Sequence, residues 1–202
     1  MTLRAHRLAC AALLWALPAL APCAQPPPAV PAAASAPLPG DSIYALHVPL
    51  ERADGGSTTL AAFRGHAVLL AMFYSRCNSA CPLLVERVRA LARELAPAER
   101  ARLSIVLVSL DPEHDNPAAL TAFAAQHHVG AGDWTLARTT VPDTRALATV
   151  LGIRYRNNPD GSITHAAPIA LFDGDGVLIA RTLELGSNDS AFENALHRAL
   201  GE

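Results

Sequence analysis

The sequence predicts an α/β fold in which a central, mostly parallel sheet is covered by flanking helices. Two apolar runs of strand length, over residues 68–74 and 104–110, are each followed by a segment whose apolar residues recur with helical spacing. Continuous apolar runs are typical of strands buried on both faces, and alternating strands and helices produce parallel sheets. Hydrophobic residues make up 51% of the 202-residue chain, which is enough for a buried core and excludes a wholly disordered protein.

The charges of the chain are nearly balanced, with 16 Lys and Arg residues against 18 Asp and Glu residues. Binding to a phosphate backbone requires a basic face, so this balance argues against nucleic acid as the main partner. No apolar run is long and charge-free enough to indicate a polytopic membrane protein.

The first 24 residues have the pattern of an export signal. A basic start precedes an apolar run over residues 8–20 and a stretch of small residues, and the run is short for a membrane-spanning helix. We expect export, with three alternatives for residues 1–24: cleavage near Cys23, lipidation of Cys23, or retention as a membrane anchor. Residues 25–39 are almost entirely Pro, Ala and Ser and predict a semi-extended linker, so the folded domain is expected to span residues 40–202.

A β-hairpin is expected to begin this domain. Residues 43–50 and 58–60 flank the turn sequence Asp54-Gly55-Gly56. After the first buried strand, apolar residues fall on one face of a predicted helix over residues 81–95, and Arg87 falls on its charged, solvent-facing side.

The second half of the domain continues the alternation of strands and helices. Asn116 and Pro117 are expected to begin a helix, and residues 134–136 to form a short strand. Asp143 is expected to cap a further helix that ends at Gly152.

A second hairpin and a helix are expected to complete the domain. Residues 169–172 and 177–180 flank Asp173-Gly174-Asp175-Gly176, a strong hairpin signal. Asn188 or Asp189 then starts a C-terminal helix. The two hairpins predict antiparallel strands added to the parallel core.

Cys77 and Cys81 lie where the first buried strand passes into a helix, at the end of a strand where α/β proteins bind their ligands. Residues four apart in a helical turn share a face, and a helix N-terminus favours thiolate over thiol. Two thiolates with one imidazole would suit copper, whereas a closed structural zinc site takes four ligands. A structural disulfide is the alternative, but a bridge that closes so short a loop contributes little stability.

Three features of the chain together resemble the SCO/SenC family. They are an apolar strand followed by Cys77-x-x-x-Cys81-Pro82, the segment VSLDPEHDNP over residues 108–117, and His165 eight residues before Asp173. The resemblance covers about residues 43–200 and implies a thioredoxin-like fold that binds one copper ion per chain, as Cu(I) or Cu(II). By residue-by-residue correspondence it implies that Cys77, Cys81 and His165 are the copper ligands.

Two positions depart from the family pattern. Thr164 stands where the family usually has an Asp just before the ligand His, and the spacer Asn78-Ser79-Ala80 lacks the usual Pro-Asp. The first departure removes a carboxylate that could orient the imidazole.

The function implied by the resemblance is that of a periplasmic metallochaperone, which delivers copper to the copper centre of cytochrome c oxidase or a related respiratory enzyme. Its partners would be a copper-accepting oxidase subunit, a periplasmic thiol reductant and a membrane to which the N-terminus is tethered. The alternative is an enzyme, a thiol–disulfide oxidoreductase that acts through the Cys77/Cys81 couple, although redox motifs of that type usually have two spacer residues. A peroxide-reducing thiol enzyme is a third candidate, supported by Arg76 alone. His165 discriminates between the first two, because copper binding needs it and dithiol exchange does not.

Overall fold

The computed structural model describes residues 37–130, 132–186 and 189–201, so the predicted leader and most of the predicted linker lie outside the described residues. These residues form nine strands and five helices. In chain order the strands are β1 Pro49–Arg52, β2 Ser57–Thr59, β3 Ala67–Phe73, β4 Leu103–Ser109, β5 Trp134–Arg138, β6 Tyr155–Asn157, β7 Ile163–His165, β8 Ile169–Phe172 and β9 Leu178–Thr182. The helices are α1 Ala80–Glu94, α2 Pro97–Arg100, α3 Pro117–Gln126, α4 Val141–Val150 and α5 Ser190–Gly201. Among the described residues, no helix has the length and apolar character that a membrane span requires.

Seven strands form one sheet in the order β2-β1-β5-β4-β3-β8-β9. The three central strands, β5, β4 and β3, are parallel, and an antiparallel hairpin extends the sheet at each end. Every residue of β3 is buried, as expected of a central strand that is covered on both faces. The predicted α/β class, its parallel core and both hairpins are therefore confirmed.

The carboxyl ends of β3 and β4 lie side by side, because the two strands pair in parallel from Ala67 with Leu103 to Phe73 with Ser109. The loop that carries Cys77 (residues 74–79, the cysteine loop) follows β3 and leads to Cys81 at the start of α1, and the loop of the Asp-Pro-Glu segment follows β4. The sheet therefore brings both sequence motifs to one edge.

The first predicted strand is wrong over its first half. Residues 43–46 form a 3₁₀ turn, in which Ser42 accepts a hydrogen bond from the Tyr44 N–H and His47 closes the turn with a φ of 50°. Ile43 and Tyr44 are both buried, and consecutive residues of a half-covered strand cannot both face the core. Strand structure begins only at Pro49.

The N-cap of α4 also differs from the prediction. Thr140 is the capping residue, and its hydroxyl oxygen accepts the backbone N–H of Asp143 at 3.2 Å. Asp143 lies within the first turn, where its carboxylate accepts the Thr140 hydroxyl. At α5, Asp189 fulfils the capping role, since its side chain accepts the Phe192 N–H at 3.1 Å, whereas Asn188 lies outside the described residues.

Arg87 was expected on the solvent face of α1, and this expectation is wrong. Its side chain is only 6% exposed and makes an ion pair of 2.8 Å with Glu193 of α5. The contact joins residues far apart in sequence, so the helical periodicity of α1 could not indicate it. A paired Arg can be accommodated where an unpaired one would be costly.

Candidate metal centre

Cys77 lies on the short connection between β3 and α1, and Cys81 lies in the first turn of α1. Both cysteines are buried, and neither is in a disulfide. The helix starts at Ala80 without a side-chain cap from Ser79, and Cys77 Sγ instead accepts the backbone N–H of Cys81 at 3.3 Å. The sulfur therefore takes the place of the oxygen that usually satisfies an N–H in the first turn of a helix.

The two sulfurs have opposite tendencies to ionise. The pKa of Cys77 is lowered, first by a hydrogen bond from the Cys81 side chain and then by backbone N–H groups. The pKa of Cys81 is raised, because its proton is held by Cys77 and because burial disfavours a second thiolate. These opposite directions favour a thiolate at Cys77 and a thiol at Cys81 in the metal-free protein.

His165 reaches the cysteines from a separate two-stranded ribbon, formed by β6 and β7, which the sequence did not predict. Its Nδ1 lies 2.8 Å from the Ala166 carbonyl oxygen. A carbonyl can only accept, so Nδ1 donates this hydrogen bond, and in the neutral ring the lone pair therefore lies on Nε2. Nε2 is buried and has no hydrogen-bond partner within the described part of the chain. A buried imidazole nitrogen left in this state is prepared for a metal.

The structure brings the three predicted ligands together. One ligand atom from each of Cys77, Cys81 and His165 lies within 4.8 Å of the other two. In the described ranges, no fourth Cys, His, Asp or Glu joins this group. Two soft sulfurs and one imidazole nitrogen fit copper, whereas zinc would lack one of the four ligands that it prefers.

A family model described as SCO1/SenC matches residues 47–200. The chain belongs to the SCO1/SenC family. One relative, the SCO1 protein homolog of Bacillus subtilis, is 29% identical over 129 residues, which are 62% of this chain and 66% of that protein. The chain covers 57 to 66% of the length of the curated relatives that it matches, which is less than two thirds.

Solved structures of the SCO1/SenC family have the same fold. The structure of Arabidopsis thaliana ScoI with copper bound has a TM-score of 0.65 at 15% identity, over 76% of this chain and 96% of that chain. The structure of BsSco, described as a member of the Sco family of cytochrome c oxidase assembly proteins, has a TM-score of 0.64 at 21% identity, over 76% and 91%. These similarities confirm the thioredoxin-like fold that the resemblance implied.

In this SCO1/SenC protein, the buried carboxylate of Asp115 is hydrogen-bonded to the cysteine loop. Asp115 is fully buried and accepts three hydrogen bonds, from the Ser75 N–H at 3.0 Å and from the hydroxyls of Ser75 and Ser109. Ser75 lies two residues before Cys77, so Asp115 joins the loop after β3 to the loop after β4. Sequence reasoning missed this role, although Asp115 lies within the segment that carried the resemblance.

Arg76, Asp111 and His114 form a separate polar cluster beside the cysteine loop. Asp111 accepts from the Arg76 guanidinium at 2.6 Å and lies 2.7 Å from His114 Nδ1, and the side chain of His114 is 60% exposed. Arg76 is thus engaged by a carboxylate, which weakens the case for a peroxidase, since such an enzyme needs an Arg to activate its thiolate.

The departure at Thr164 has a visible consequence. Its hydroxyl accepts a hydrogen bond of 2.9 Å from the Asn158 side chain, within the β6–β7 ribbon. The His165 ring is oriented by a backbone carbonyl in place of a carboxylate. A neutral partner makes the imidazole a weaker base than a carboxylate partner would.

Proposed function

We propose that the protein is a copper carrier that binds one ion through Cys77, Cys81 and His165 and delivers it to a respiratory oxidase. The observation that carries this proposal is the unpartnered, buried Nε2 of His165 beside two sulfurs, all within 4.8 Å. Support also comes from two relatives: one was solved with copper bound, and another is described as an oxidase assembly protein.

The site can bind a copper ion and still release it. Three ligands leave the coordination shell of the ion open to an incoming donor, so a ligand of the acceptor can bind the ion before the ligands of the carrier dissociate. A four-ligand structural site offers no such position. The acceptor we propose is the oxidase subunit that receives copper.

The alternative function, dithiol reduction of the acceptor, is favoured by the pairing of one thiolate with one thiol. The Cys77 thiolate would attack the acceptor disulfide, and one acceptor sulfur would leave as a thiolate. The Cys81 sulfur would then attack Cys77, its proton passing to the second leaving sulfur. The acceptor gains two electrons, Cys77 and Cys81 become a disulfide, and a periplasmic thiol reductant restores the dithiol.

We also propose that the domain acts in the periplasm, exported by residues 1–24, tethered to the membrane by an uncleaved N-terminus or a lipidated Cys23, and held off the membrane surface by residues 25–39. The leader pattern and the Pro- and Ala-rich composition support this arrangement. Cell fractionation with detection of the mature N-terminus by mass spectrometry tests it, and recovery of the full-length chain from the cytoplasm would contradict it.

Metal analysis tests the central proposal. The purified protein is reduced, loaded with copper under anaerobic conditions, freed of excess metal and analysed for bound ions. We expect one copper ion per wild-type chain, and less than one in Cys77→Ser and Cys81→Ser. The control is His114→Ala, which removes an exposed imidazole outside the ligand group and should load fully. Wild-type protein without copper would refute the proposal.

Activity in cells separates delivery from reduction. A strain that lacks the native gene is complemented with each variant and its oxidase activity is measured. If copper delivery is the function, His165→Ala and Cys77→Ser both fail to restore activity. Full restoration by His165→Ala together with failure of Cys77→Ser would show that dithiol reduction is the function.

A further inference from the structure

Tyr74 contacts both the cysteine loop and the histidine of the candidate metal centre. It follows β3 directly and is buried, with 6% of its surface exposed. Its carbonyl oxygen accepts the N–H of Cys77 at 3.1 Å. Its ring meets the His165 ring edge-on, with the centroids 5.9 Å apart.

The Tyr74 hydroxyl also connects the main sheet to the ribbon. Its oxygen accepts the backbone N–H of Ile163 at 3.3 Å, two residues before His165 on β7. In the ribbon, Asn158 N–H is bonded to the Ser162 carbonyl. Since bonded and non-bonded pairs alternate in antiparallel strands, Ile163 belongs to a non-bonded pair and its N–H faces away from β6.

We propose that Tyr74 is a positioning residue, whose hydroxyl holds β7 against the cysteine loop and so keeps His165 Nε2 within reach of an ion bound by the two sulfurs. The inference deepens the proposed function and rests on it.

The positioning role of Tyr74 predicts that loss of its hydroxyl changes the affinity for Cu(II) but not the affinity for Cu(I). Two thiolates are sufficient ligands for Cu(I), whereas Cu(II) favours a nitrogen donor in addition. Loosening β7 moves the nitrogen and leaves both sulfurs in place, because the backbone contacts of Tyr74 do not depend on its hydroxyl. Cu(II) should be bound more weakly, while Cu(I) should be bound as before.

The test compares Tyr74→Phe with the wild-type protein and with Tyr44→Phe. The first variant keeps the ring and removes only the hydroxyl. Tyr44 is a matched control, because it is also buried and its hydroxyl has no partner among the described residues. It lies beside Gly176 in the β8–β9 turn, at the amino end of β3 and thus opposite to the cysteine loop.

For Tyr74→Phe we expect the Cu(II) affinity to fall about fivefold, which corresponds to the loss of one ordinary hydrogen bond. Cu(I) affinity should be unchanged, so the reduction potential should rise by about 40 mV, at 59 mV per tenfold change. The thiolate-to-Cu(II) absorption band should weaken, and the Ile163 amide of the metal-free protein should exchange faster with deuterium. Tyr44→Phe should keep all wild-type values.

Wild-type Cu(II) affinity and potential in Tyr74→Phe would overturn the positioning role. An equal loss of Cu(I) and Cu(II) affinity would overturn it too, because it would indicate damage to the cysteine loop. Failure of the wild-type protein itself to bind copper is a distinguishable result, which would refute the proposed function and with it this inference.

Discussion

Replacement of Asp115 by Ala is expected to lower the free energy of unfolding by about 3–5 kcal/mol, because three buried hydrogen-bond donors lose their acceptor at once. The carboxylate is fully buried and accepts one N–H and two hydroxyl hydrogen bonds. Alanine removes all three acceptor positions at once. The Ser75 N–H and the two serine hydroxyls are then left without a partner in a space that water enters with difficulty.

The magnitude follows from the number and kind of these bonds. Each hydrogen bond to a charged group contributes about 1.5–3 kcal/mol, so three independent bonds would give roughly 4.5–9 kcal/mol. The expected loss is smaller, because the serine hydroxyls can rotate and because the cost of burying the carboxyl group is no longer incurred. Asp115→Asn keeps one acceptor oxygen and should cost about half as much as Asp115→Ala.

Urea denaturation of the reduced, metal-free protein, followed by far-UV circular dichroism, measures the effect. Glu113→Ala is the matched control, since this residue lies in the same loop, is exposed and makes no hydrogen bond within the described residues. It should change stability by less than about 0.5 kcal/mol. A loss below about 1 kcal/mol in Asp115→Ala would refute the reasoning, since the network would then contribute no more than one neutral hydrogen bond.

Four further outcomes are expected. His165→Ala should lose the coloured thiolate–Cu(II) species and retain thiol exchange with glutathione, with a change in stability of less than about 1 kcal/mol; unchanged colour would show that His165 is not a ligand. Oxidation to a Cys77–Cys81 disulfide should abolish copper loading, measured by elemental analysis, because the ligand is the thiolate; equal loading of the oxidised form would contradict this. Because the pKa of Cys77 is lowered, one thiolate should persist when the pH falls well below about 8.5, the usual pKa of cysteine. Thiolate absorbance near 240 nm measures this, and loss of that absorbance at a pH near the usual cysteine pKa would contradict the prediction. Glu193→Ala should lower the free energy of unfolding, measured by urea denaturation, by about 2–3 kcal/mol, because it leaves Arg87 buried without its partner. An unchanged free energy of unfolding would indicate that the Arg87 guanidinium is exposed to water.

The parts of the fold that could be predicted are those with a local signal. Residues 68–74 and 104–110 are apolar along their whole length, and they became β3 and β4 with shifts of one residue at each end. The hairpin around residues 173–176 has its Gly at a position with φ of 80°, which the turn sequence indicated. The strand at 134–136 was too short because β5 gains its last residues by pairing with β1.

The parts that could not be predicted depend on contacts distant in sequence. The β6–β7 ribbon is short and largely polar, so no periodicity marked it, and His165 was assigned by resemblance alone. Tyr74 had the appearance of the last apolar residue of a core strand, and only the fold shows its hydroxyl against Ile163. The burial of Arg87 likewise required the position of α5.

The division of the ligand group between two elements bears on how fast copper could leave. Cys77 and Cys81 lie on the β3–α1 connection and the first turn of α1, both packed into the core, whereas His165 lies on a ribbon outside the seven-stranded sheet. Two-stranded ribbons have marginal stability by themselves, and such elements open locally while the rest of the molecule stays folded. The lifetime of a bound ion would then be governed by the opening rate of the ribbon, and a very stable core would be compatible with rapid transfer.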